Sequence, residues 1–167
     1  MDAPNLYRLS GAAAIAGGAA RIFSAFPLLA DPIAREWLYT AIDVLLLFGL
    51  MGIYLARVKA LGFLGLLSFI VGVAALSFIG GPDADPFGFS TYEQGAATLV
   101  IALIGLSIAW LRVGERPIWA PLCWIASAIA AGLLSALPAP LPNYAFMSAG
   151  VLFGAGFVFA GLDLARR

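Results

Sequence analysis

Apolar residues fall into six long runs, at 6–26, 37–56, 61–80, 92–111, 118–137 and 144–164. The connections between them, 27–36, 57–60, 81–91, 112–117 and 138–143, are short. A helix needs about 20 mostly apolar residues to cross a hydrocarbon core about 30 Å thick. Each run meets that length. The runs are continuously apolar, whereas strands of a membrane barrel alternate in pieces of about 10 residues. The pattern predicts an all-α, polytopic membrane protein: one domain over 1–167, folded as a compact bundle of six transmembrane helices.

Punctuation supports this division. Pro27, Pro82 and Pro138 follow the first, third and fifth runs, where a residue without a backbone N–H ends a helix at low cost. Tyr7, Trp37, Tyr39, Tyr54, Tyr92, Trp110, Trp119 and Tyr144 lie near run ends, as half-polar rings suited to the headgroup region do. Trp124 lies deeper and is expected to pack. Arg8, Arg57, Lys59, Arg112, Arg116, Arg166 and Arg167 fall on one side, against Arg35 in the loops of the other. The positive-inside rule then places both termini in the cytoplasm of a bacterial-type cell, with the chain in its inner (plasma) membrane. Asp31, Glu36, Asp83, Asp85 and Glu93 make the opposite side acidic. Arg21 interrupts the first run, which reads as a retained span and not a secretory signal.

Composition removes whole classes of function. The chain is 63% hydrophobic and 11% charged, beyond the range of a soluble globule. Nine basic residues balance nine acidic ones with no basic block, which argues against nucleic acid as a partner. Histidine is absent and Cys123 is the single cysteine, so His-based metal sites, disulfides and Ser-His or Cys-His catalysis are excluded. No cofactor or metal is expected, and an enzyme is the least favoured class. The bilayer is the expected partner, with a small anionic solute or another membrane protein beside it.

The three prolines are 55 and 56 residues apart, and Arg57, Arg112 and Arg167 are 55 and 55 apart. Ser24, Ser77 and Ser135 precede the prolines, and Asp-Pro recurs at Asp31 and Asp85. Three tandem helical hairpins would give this spacing. So would equal-length hairpins punctuated alike by lipid and water, without shared ancestry. Small residues mark close helix contacts in lipid. Ala12–Ala14 and Ala16–Ala20 in the first run, Ser127–Gly132 in the fifth, and Gly150 and Gly154 in the sixth place the first span centrally, against the fifth and sixth. The second and third spans are expected to face lipid more.

Two ionisable residues stand inside the apolar runs. Arg21 precedes Pro27 by six residues and Asp43 follows Trp37 by six, so both lie roughly 9 Å below one boundary. Equal depth on antiparallel neighbours predicts a salt bridge. Ser10, Ala14, Gly17, Arg21 and Ser24 form one stripe of the first helix. Tyr39 and Thr40 lie near Asp43, Gln94 and Thr98 are four apart, Glu93 opens the fourth run, and Asn143 and Ser148 join from the sixth. These residues predict an outward-facing polar pocket.

Two readings of the pair follow. In one, Arg21, held by Asp43, binds an anionic group, or Asp43 carries a proton or cation, and Tyr39, Thr40, Glu93, Gln94 and Thr98 shape a binding or transport site. In the other, the pair is a structural staple within a non-catalytic scaffolding, sensory or partner-binding protein. A staple predicts that Arg21→Ala strands Asp43 and that replacing both with apolar residues recovers stability. Asp163, beside Arg166 and Arg167, reads as a terminal surface ion pair, and Glu115 and Arg116 as solvated loop residues.

Overall fold

The computed structural model describes residues 3–79 and 90–167, apart from the side chains of residues 3, 4, 142 and 143. It is all-helical: α1 (Ala3–Ser24), α2 (Pro32–Leu55), α3 (Val58–Ile79), α4 (Thr91–Val113), α5 (Trp119–Ser135) and α6 (Pro142–Ala165). Pro82, Asp83 and the Asp85-Pro86 pair lie outside the described residues.

Caps, and not hydropathy, set several boundaries. The α2 helix begins five residues before its apolar run, because Asp31 accepts a hydrogen bond from the Ile33 N–H at 3.1 Å and Pro32 occupies the first turn. Ser90 caps α4 in the same way, accepting from the Glu93 N–H at 3.3 Å. At the other end of α4, Gly114 adopts φ 67°, the left-handed conformation that closes a helix most cheaply with glycine. The α3 helix is kinked at Gly62, with φ 61° and ψ −161°, so its first turn is offset from the rest.

Four helices, α2, α3, α4 and α6, are both long and apolar enough to cross a membrane. The 17 residues of α5 rise only about 25 Å, and α1 carries Arg8 and Arg21 among small residues. The outer surface is apolar: Phe63, Phe146, Ile101 and Trp37 are each more than 65% exposed. Such a surface suits lipid and not water. The chain is a membrane-embedded helical bundle.

Each sequential pair, α1/α2, α3/α4 and α5/α6, packs as an extensive antiparallel hairpin, and α1 closes the ring against α6. Two expectations are corrected here. The α1 helix touches α2 and α6 but not α5, and its residues Ala12, Ala16 and Ala19 face outward. It is therefore a peripheral helix, and α6, in contact with α1, α2 and α5, takes the inner position. The α3 helix is the least buried candidate span, at 28% of its apolar window, but α2 at 39% is as buried as α4 and α6.

Glycines set the tightest seam. A Cβ on Gly18 would stand 2.5 Å from the Gly154 carbonyl, and one on Gly154 would stand 2.4 Å from the Gly18 carbonyl. Gly11 and Gly161 meet in the same way further along. Backbones approach this closely only where neither helix has a side chain. The remaining core is built by Leu46, Leu50 and Ile53 of α2, Leu103, Leu106 and Trp110 of α4, Trp124 of α5 and Phe157 of α6.

Candidate functional site

The first half of α1 and the end of α6 meet at one end of the bundle, where Gly11 lies against Ala165. The strongest polar constellation in the described residues is there. Arg57, in the α2–α3 connection, has a side chain with 0% exposure. Its guanidinium lies 3.9 Å over the Trp110 ring, forms an ion pair with Asp163, and donates to the Arg116 carbonyl at 3.2 Å and the Ile53 carbonyl at 3.4 Å. Its Nε has no partner among the described residues. Burial draws the Arg57 guanidinium below its ordinary range, and the adjacent Asp163 carboxylate opposes that shift. Arg167 donates to the same Asp163 oxygen at 3.2 Å and to the Ala56 carbonyl at 3.3 Å, and lies 3.8 Å from Glu115. The Trp110 indole donates to the Glu115 carbonyl at 2.9 Å.

This cluster corrects several sequence readings. Asp163 is not merely a surface partner of its own helix end: it joins α6 to the α2–α3 turn. Glu115 and the Arg116 carbonyl belong to the same knot. Trp110 is buried at 0% and Tyr54 at 5%, so neither anchors in headgroups; Tyr54 stacks on Phe69 with centroids 4.2 Å apart. Trp124 packs, as expected, 6.0 Å from Trp110 and 5.1 Å from Phe157. Arg57, Arg112 and Arg167, equally spaced in sequence, occupy unlike environments: one is buried in the knot, one is exposed, and one is at its rim.

At the opposite end, Arg21 lies in the last turn of α1 and is half-buried. Its level matches Asp43, as the contacts of Gly17 with Leu45 and Leu46 and of Ala14 with Gly49 show. The expected salt bridge is nevertheless not formed. The cause lies in the side chain and not in the helix face it leaves from, which is the face turned to α2. Ser10, Ala14 and Gly17 do meet α2, but the Arg21 guanidinium turns toward α6, 3.8 Å from the position a Cβ would take on Gly150. Gly150 leaves room for it. Arg21 donates to Ser24 Oγ at 3.2 Å, and Ser24 donates back to the Arg21 carbonyl. Asp43 is half-buried, accepts no hydrogen bond within the described residues, and feels Arg21 only through space.

The other predicted site residues do not converge on this pair. Tyr39 packs against the core, while Thr40 is exposed and bonds back to the Glu36 carbonyl at 3.0 Å. Glu93 is exposed at the start of α4. Gln94 and Thr98 line a separate groove of about 320 Å³ between α3 and α4, with Ile70, Ala74 and Phe78. Since α4 packs on α3 and α5 and not on α1 or α2, the two sets stay apart. A second groove of about 490 Å³, between α1 and α2, is walled by Leu9, Ala12, Ala16, Val44 and Phe48 and is apolar throughout. Neither groove reaches Arg21 or Asp43. Ser148 is satisfied within α6 by the Tyr144 and Ala145 carbonyls, and the Asn143 side chain lies outside the described residues.

Among the described residues no three His, Cys, Asp or Glu side chains are grouped to hold a metal ion. The chain matches no protein-family model, no curated protein and no solved structure. The functional reading therefore rests on the site alone.

Proposed function

We propose that this protein is a six-span, non-catalytic inner-membrane protein that binds a small anionic solute at Arg21 and serves its transport. Six crossings are supported by packing. The α1 helix and the residue after it run along α6 from Gly11 beside Ala165 to Ala25 beside Gly150, a shared length of about 22 Å. The α5 helix pairs with α6 through Trp124 against Gly156 and Ser127 donating to the Ala149 carbonyl. With six crossings and basic residues gathered at the end holding both termini, that end is cytoplasmic and Arg21 is near the outer side.

One observation carries the anion reading: Arg21 is a half-buried guanidinium in a bundle helix that, among the described residues, has no carboxylate paired to it and is held by Ser24 alone. Ionisable groups within spans are costly, and those not neutralised by the protein are candidates for binding. Arg57 shows the contrast, since its charge is consumed by Asp163 and Trp110.

The test is a thermal-stability titration of the purified protein with chloride, thiocyanate, acetate and inorganic phosphate. At least one anion should raise the melting temperature of the wild type, and none should raise that of Arg21→Gln. No response in the wild type, or an equal response in Arg21→Gln, removes the reading.

A further inference from the structure

We propose that Arg21 and Asp43 form a proton-linked anion site, in which a small monovalent anion and the Asp43 carboxylate compete for one guanidinium. The inference rests on the anion reading of Arg21 and assigns its regulation and the charge of its ligand.

The geometry is that of two groups near enough to influence one another and not bonded. They share a level on adjacent antiparallel helices. Arg21 is committed only to Ser24, and Asp43 to no donor in the described residues. Had they closed into an ion pair, each would satisfy the other and an added anion would meet a neutral site. As arranged, the field of Arg21 at its own site depends on whether Asp43 is charged.

Asp43 has few other electrostatic neighbours. From α1, Arg21 is the charge that reaches it. The α3 helix carries one ionisable side chain, Lys59, at the opposite end. On α6 the ionisable groups are Tyr144, exposed at its start, and Asp163, in the knot at the far end. On α2 itself Tyr39 is one turn away, with Arg35 and Glu36 exposed two turns away. Among the described residues the balance at Arg21 is thus set by one carboxylate.

The linkage follows directly. With Asp43 ionised, part of the attraction of Arg21 is already spent, and an incoming anion meets a negative neighbour. When Asp43 takes a proton, the guanidinium faces the anion alone. A proton and an anion then bind together, and by reciprocity the bound anion favours protonation of Asp43. Net charge is conserved: one proton and one monovalent anion enter as a neutral pair, with no covalent step. A neutral pair moves within a bilayer without opposing the membrane potential.

Thiocyanate is a suitable probe, because it stays an anion from about pH 4 to about pH 8, a range in which a carboxylate loses its proton. Wild-type affinity for thiocyanate should fall by about 5-fold or more across that range as pH rises. Asp43→Asn should bind at least as tightly as the wild type at low pH and show no such fall. Arg21→Gln should not bind. A wild-type measurement avoids dependence on the folding of any variant: thiocyanate added to the weakly buffered protein should cause proton uptake. Flat wild-type affinity without proton uptake, or an undiminished slope in Asp43→Asn, overturns the linkage while leaving the anion site intact. Absence of thiocyanate binding at every pH overturns the linkage, and with it the anion reading if chloride, acetate and phosphate also fail; binding unchanged in Arg21→Gln overturns both.

Discussion

The two ends of the bundle each hold an arginine and an aspartate, and they use them differently. At the end where α1 begins and α6 stops, Arg57 is sealed from solvent, ringed by Asp163, Trp110 and two backbone carbonyls, and shared into a network through Arg167. At the other, Arg21 and Asp43 lie at the same height without bonding. A buried charge with several fixed partners is a knot, costly to cut. A half-buried charge with one serine partner is available. Arg57 comes from a connection between helices, where the backbone places its side chain under the bundle's end. Arg21 comes from a helix whose small residues bring α2 and α6 close but leave the guanidinium to find its own space over Gly150.

Stability measurements separate the two ends, and the largest effect belongs to the knot. Arg57→Ala should destabilise the protein by about 3–5 kcal/mol, because it leaves the Asp163 carboxylate without its principal partner and removes the plane over Trp110. Unfolding in mixed micelles by a denaturing detergent measures this, and a loss under about 1 kcal/mol would mean that the knot is decorative. The apolar double replacement, which the sequence attaches to Arg21 and Asp43, belongs here: Arg57→Met with Asp163→Leu should recover most of the single-variant loss in the same assay.

The glycine seam comes next and lies between the ends. Gly154→Ala should cost about 1–3 kcal/mol, since its Cβ meets the Gly18 carbonyl backbone, which cannot rotate away. Equal stability of Gly154→Ala and wild type would show that α1 and α6 are further apart than described. Arg21→Ala should cost less than about 1 kcal/mol, as only the local bond to Ser24 is lost. A loss as large as that of Arg57→Ala would erase the contrast between the ends. Smallest of all, Glu115→Gln should change stability by about 0.2–1 kcal/mol, and increasing salt should weaken the effect, since the 3.8 Å contact with Arg167 is partly exposed.

Much of the architecture was legible in the residue pattern. Six apolar runs became six helices, because hydrophobic length is a one-dimensional property. Their starts were less legible: Asp31 and Ser90 cap α2 and α4 with side-chain oxygens, which hydropathy does not register. The site was legible in part. Helix rise alone put Arg21 and Asp43 at one level, and contacts around Gly17 and Gly49 agree. The direction of the side chain was not accessible, and it decided the outcome: on a stripe that meets α2, the Arg21 guanidinium bends to α6. The repeat of Arg57, Arg112 and Arg167 likewise measured distance along the chain and not the surroundings each arginine enters. A signal for the knot did exist. Asp163 stands four residues before Arg167, a pairing distance on a helix, and Trp110 stands near a basic turn.

The linear order of residues by itself determined the helices, their number, and the apolar exterior that commits the chain to lipid, because these depend on local composition and period. It also determined at what height each charge would lie. Which helix occupied the interior, which tryptophan was buried, and which arginine found a carboxylate were decided only when α6 came between α1 and α5. Those outcomes depend on the azimuth of each helix and on the space left by glycines on its neighbour, and neither is a property of one segment alone.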